Sequence, residues 1–348
     1  MTSVPSTYAL SSSFRASLLE IETQLARARQ ELSTGRHADV SLTAGAAVAR
    51  DVHLGARLDQ LNTIFETNKI VGARLDTTQI ALSSLTSTAA DVRATLLRAL
   101  SDGGDRKAIV AQARLALASF TATLNQTIGG DYVFGGENLD AAPAADYFAA
   151  PPSANKLALD NAFLSAFGMT QSDPAAASIS APAMESFLSV EMSALFSPPN
   201  WAADWSQASD EPLLARISFF KTTSVSITAN DPAFRELAMG YTALSDLSLD
   251  ALSDDAGDAV IRTAAQHIDR ALAGLTKLKA AAGGMQAEVE SANRTMTVQQ
   301  GLFLSQIASI EGVDPTEAAT RVNGLMTQIE IAYTLTAKIQ QLSLVKYL

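Results

Sequence analysis

The chain has 348 residues, of which 47% are apolar and 18% charged, with aromatics at 6%, no cysteine and a formal net charge of −11. A chain of this length can bury a large core over two or three domains, and its alanine and leucine content is that of long helices. The acidic balance excludes the clustered Lys and Arg needed to bind nucleic acid or an anionic membrane surface, and the lack of cysteine excludes disulfides, thiolate nucleophiles and Cys-based zinc sites.

The first stretch, MTSVPSTYALSSSFRASLLEIETQ, has no basic region followed by an apolar one, and no run of 18 apolar residues occurs anywhere. Neither a cleaved signal peptide nor membrane insertion is expected. Phe14, Leu18, Ile21, Leu25, Ala28 and Leu32 then recur at alternating spacings of four and three, which is a heptad seam. Glu20, Glu22, Arg27, Arg29 and Glu31 fall off the seam, where charge is expected to stay solvated. Ser33-Thr34-Gly35 ends the pattern with a helix-stop glycine.

A second helical run is predicted over 45–100, with Ile64, Val71, Leu75, Leu82, Leu85, Ala89, Val92 and Leu96 on one stripe, broken by SDGGD at 101–105. A third, over 106–128, carries Val110, Ala113, Leu117, Phe120 and Leu124 and ends at GGDYVFGG, residues 129–136. That motif reads as a turn and a short strand, with Tyr132 and Phe134 on one face and Val133 on the other.

From 137 to 213 the composition changes, since eight of the eleven prolines lie here with ten acidic residues and Lys156 as the one basic residue. Proline at this density does not continue a helix, so an inserted, irregular or β-containing domain is expected. Asp231-Pro232 then opens a further helix. A run over 256–310 keeps Ile268, Ala271, Leu275, Leu278, Ala282, Met285, Val289, Ala292, Met296, Gln299 and Phe303 at spacings of three and four, with Gly283-Gly284 as a kink point. About 50 helical residues would reach roughly 75 Å, the length of a rod. Asp314-Pro315-Thr316-Glu317 combines an N-cap, a first-turn proline and the glutamate of a capping box. Val322, Leu325, Ile329, Ala332, Ile339 and Leu342 form the closing stripe, and Leu344 lies in the apolar end.

These elements predict a mainly α fold, in which N- and C-terminal segments pair as a long antiparallel bundle with the inserted domain at its tip. The expected divisions are 1–44, a terminal coiled-coil segment; 45–136 and 214–311, two parts of a helical rod; 137–213, the insertion; and 312–348, the second terminal segment. A lone terminal helix is marginal, because ordering its backbone costs about 1–2 kcal/mol per residue against about 1.5–3 kcal/mol per buried Leu or Ile. The ends are therefore expected to order fully on assembly. The seam residues Phe14, Leu18, Ile21, Leu25, Leu32, Val322, Leu325, Ile329, Ile339, Leu342 and Leu344 are the candidate assembly contacts.

No catalytic, cofactor or metal site emerges. Gly130 to Gly135 matches the glycine spacing of a phosphate loop, but the Lys and Ser/Thr that must follow are replaced by Gly136 and Glu137. His37, His53 and His267 lie on separate segments and are expected at the surface, and Met285 and Met296 sit on the apolar stripe. Asp254-Asp255 suits the start of the long helix, where acidic side chains favour its dipole.

ELSTGR at 31–36, LNQTIGGDYVFGGENLDAAP at 124–143 and QIEIAYTLTAKIQQLSLVKYL at 328–348 together resemble the bacterial flagellin superfamily. Gly130, Tyr132, Phe134 and Gly135 carry the likeness to its hook-filament junction branch, hook-associated protein 3. The segment after Gly35, RHADVSLTAGAAVAR, departs from the Asn and Asp-Asp stretch common in filament flagellins. The resemblance implies a non-enzymatic axial subunit, secreted through the flagellar type III channel to the extracellular flagellum. Its implied partners are copies of itself, a hook-associated junction protein below, flagellin above and an export chaperone, without nucleic acid or membrane. A filament flagellin and a non-flagellar helical adaptor are the alternatives.

Overall fold

A computed structural model describes residues 7–43 and 45–345, with side chains described for 12–41, 45–101 and 103–338. In chain order come α1 (Thr7–Thr34), α2 (Val40–Thr43), α3 (Ala47–Asp102), α4 (Arg106–Leu124), the β1 (Thr127–Ile128) and β2 (Asp131–Tyr132) hairpin, and α5 (Ala154–Phe167). There follow a 3-10 turn (Pro174–Ser178), α6 (Ala181–Phe187), a π turn (Leu188–Met192), α7 (Ser193–Leu195) and a second π turn (Trp201–Trp205). The chain continues with β3 (Leu214–Arg216), β4 (Thr222–Ser224), α8 (Pro232–Asp246), α9 (Asp254–Glu311) and α10 (Pro315–Val345). The chain forms a terminal unit, residues 1–63 with 295–348, and a central unit, residues 64–294. Both α3 and α9 contribute residues to each.

In the central unit α3 runs antiparallel to α9. Asn68 donates to Asn293 at 2.6 Å, Gln79 to the Lys279 carbonyl at 2.9 Å and Gln286 to Asp76 at 2.7 Å, while Arg93 pairs with Asp269. The predicted stripes face inward: Leu82 and Leu96 of α3, Leu117 and Phe120 of α4, and Ile268 and Leu275 of α9 are buried in one cluster, which Phe234 of α8 joins. α9 stays helical through Gly283-Gly284, the weak point of the run. Glycine costs a helix only about 1 kcal/mol, and at this point the Gln79 amide bonds the Lys279 carbonyl and lies against Gly283.

The proline-rich segment is built of short helical turns, and the β3–β4 hairpin follows it. Pro174 and Pro182 occupy first-turn positions behind Asp173 and Ser180, whose side chains accept from Ala175 and Ala183 amides. Proline starts helices there because the missing N–H is one that a first turn leaves unbonded. Tyr147, Phe163, Phe187, Trp201 and Trp205 enter the same core as α3, α4, α8 and α9. Trp201 and Trp205 stack at 5.5 Å, and the Trp201 indole N–H donates to Asn230 at 3.0 Å.

Candidate assembly surface

In the terminal unit α1 and α10 pack antiparallel. Leu25, Ala28, Val322 and Leu325 form their buried centre, and Ile21 and Ile329 pack against it half-buried. Phe14 and Leu18 are also half-buried. The side chains of Ile339, Leu342 and Leu344 lie outside the described residues. Among the described residues the expected stripe is buried at this centre and half-covered on either side of it.

Leu32 departs from the expectation, standing 41% exposed, while Glu31, expected in solvent, is only 8% exposed. The cause is the path of the chain after the helix. Gly35 adopts φ +69°, a left-handed conformation open to glycine, and its amide bonds back to the Glu31 carbonyl at 2.8 Å. Arg36 then bridges Gly312 in antiparallel fashion, with the His37 amide donating to Glu311 at 2.8 Å and the Val313 amide to Gly35 at 3.0 Å. This return lays the Ala38 amide over Glu31, which accepts from it at 3.2 Å and from Arg321 at 3.0 Å. Arg321 also reaches Glu317 at 2.8 Å. Glu317 therefore serves Arg321, while Asp314 alone caps α10 by accepting from Thr316 at 2.7 Å. Those backbone hydrogen bonds hold the Asp314 carboxyl below its ordinary pKa.

Large apolar side chains remain in solvent on the same two helices. Leu19 projects from α1, and Met326, Ile331 and Leu335 from α10, with Ile331 at 61% exposure. Ile331 and Leu335 are one turn apart on a single face. Tyr333 is anchored by donating to Glu22 at 3.0 Å, and that hydrogen bond and carboxylate charge raise its pKa. Such a surface suits packing against further helices.

The motif GGDYVFGG forms a corner in the central unit. Gly129 and Gly130, at φ 63° and 101°, make the two-residue turn joining β1 to β2, with Thr127 opposite Tyr132. The strand stops at Tyr132, so the expected alternation fails: Val133 and Phe134 are both fully buried and Tyr132 is half-buried. Turn geometry after Tyr132, rather than a pleat, directs these side chains. Buried Arg74 donates to the Tyr132 and Val133 carbonyls, the latter at 2.9 Å, and the Phe134 carbonyl accepts from Ala229 at 2.9 Å. Phe134 meets Phe234 edge-on at 5.6 Å. Gly135 is required by close approach, because a Cβ there would lie 2.1 Å from the Asn138 carbonyl oxygen.

Of the histidines, His267 corrects the surface expectation: it is buried and bonded through Nδ1 to Glu236, a partner 31 residues away that no local spacing flags. Among the described residues no group of three His, Asp or Glu is placed to hold a metal, and no helix is long and apolar enough to cross a membrane.

The terminal pairing and the glycine corner coincide with matches to known families. The bacterial flagellin N-terminal helical region matches residues 6–140, and the bacterial flagellin C-terminal helical region matches residues 265–348. The chain belongs to the bacterial flagellin family. It is a structural component of the bacterial flagellum. The N-terminal match takes in the LSTGR turn and the GGDYVFGG corner, and the segment between the two matches holds α5 to α8. No curated protein sequence matches this flagellin-family chain. Among solved structures, a Vibrio parahaemolyticus protein assigned as flagellar hook-associated aligns over 76% of this chain and 97% of its own at 10% identity, with a TM-score of 0.52. FlgL of Bacillus cereus aligns over 74% of this chain and 98% of its own at 12% identity, with a TM-score of 0.48. At such identities the first likeness is one of fold.

Proposed function

We propose that this protein joins hook to filament, as a non-enzymatic junction subunit outside the cell, through packing of α1 and α10 against neighbouring subunits. The observation that carries the reading is the incomplete cover of the terminal pair. Its seam is closed around Leu25 and Leu325, yet Leu19, Ile331 and Leu335 remain in solvent. Copies of the chain, a hook-associated protein below and flagellin above supply the missing surface, and an export chaperone would shield it before secretion. By sequence spacing alone, Ile339, Leu342 and Leu344 are proposed as further contacts. The fold shared with a hook-associated protein supports the junction position over the filament.

Deleting the gene should leave bare hooks with flagellin shed into the medium. Ile331→Asp should do the same while the secreted chain stays folded, since a charge on a surface buried by assembly costs on the order of several kcal/mol. Normal motility in this variant would overturn the reading. If the chain were instead the dominant protein of sheared flagella, it would be the filament subunit.

A further inference from the structure

One cleft in the central unit is used neither by the core nor by the assembly surface. It has a volume of about 470 Å³ where the Glu185–Ser193 turns face α9, and its lining includes Ser193, Arg262, His267 and Arg270. A smaller lobe of about 140 Å³ shares Ser193, His267 and Arg270 and adds Arg235 and Glu236 from α8. In a chain with 36 acidic residues against 25 Lys and Arg, three arginines and a histidine meet here beside two carboxylates. Both carboxylates are already engaged. Glu185 pairs with Arg262 at 3.2 Å, and Glu236 with His267 and with Arg270 at 3.3 Å. Burial acts to raise the Glu236 pKa, but the His267 hydrogen bond and the charges of His267 and Arg270 outweigh it, so Glu236 stays ionised and committed to them. Arg235, which lines the smaller lobe, has no carboxylate partner among the described residues. Guanidinium groups recognise oxyanions by paired N–H donation.

We infer that this cleft binds a small oxyanion, a phosphate, sulfate or carboxylate group, between Arg235 and Arg270 with the Ser193 hydroxyl beside them. The arginines outnumber the carboxylates here, and Arg235 is the guanidinium left without a carboxylate among the described residues. Calorimetric titration of the full chain at low ionic strength with inorganic phosphate, sodium sulfate and sodium acetate, and with chloride as control, tests the site. At least one oxyanion should bind saturably, and the tightest of the three identifies the group the cleft reads. Binding should weaken about tenfold or more in Arg235→Gln and in Arg270→Gln. Arg235→Gln breaks no ion pair, so it decides the matter should Arg270→Gln unfold. Absence of saturation through about 10 mM, equal binding of chloride, or unchanged affinity in Arg235→Gln would each overturn the assignment.

Discussion

The central core and the α1–α10 seam are built from the same alphabet of leucine, alanine and isoleucine, yet they differ in what closes them. In the central unit each inward stripe meets side chains from several other elements, and residues such as Leu82, Phe120, Phe234 and Ile268 are wholly buried. The seam has two helices alone, so a stripe that faces its partner buries its middle and leaves its flanks in water. A pair of helices cannot surround either member, which is why the same heptad logic yields a finished core in one region and an unfinished surface in the other.

The contrast can be broken most strongly from the core side. Phe234→Ala removes a ring that contacts Phe120 and Phe134, and should cost about 3–5 kcal/mol in denaturant unfolding. Gly135→Ala should cost about 1–3 kcal/mol by the same measurement, because the added Cβ meets the Asn138 carbonyl and the corner has no slack to move. In the terminal unit Glu31→Gln should cost only about 1 kcal/mol, since Arg321 is 44% exposed and its pairing is screened by water. Ile331→Asp should change monomer stability by no more than about 0.5 kcal/mol while abolishing assembly. That separation of stability from assembly is the sharpest test of an unfinished surface.

The smallest effect concerns acid. Because Asp314 has its pKa lowered in the folded chain, its capping contribution is complete above the ordinary aspartate value and is lost as pH falls through the lowered one. The amides of Thr316 and Glu317 should become more exchange-labile on that descent, and Asp314→Asn should flatten the dependence.

The helices and their inward stripes were legible because they rest on local periodicity, and the starts at Asp231 and Asp314 because capping is local chemistry. What escaped were side chains whose partners lie far along the chain. Glu31 looked solvated because Arg321 is 290 residues away, and Arg74 gave no signal of its bonds to the GGDYVFGG corner, 58 and 59 residues on. His267 looked like a surface residue for the same reason.

By itself, then, the sequence determined the helical class, the glycine turns at Gly35 and Gly129-Gly130, the seam register and the family. Each follows from spacing or from a backbone conformation that one residue type favours. Only the tertiary structure decided that Glu31 is covered and Leu32 is not, that the proline-rich segment shares the central core, and that Arg235 lines a cleft with no carboxylate partner among the described residues. Those outcomes depend on which distant side chain arrives, and burial and electrostatics act through space rather than along the chain.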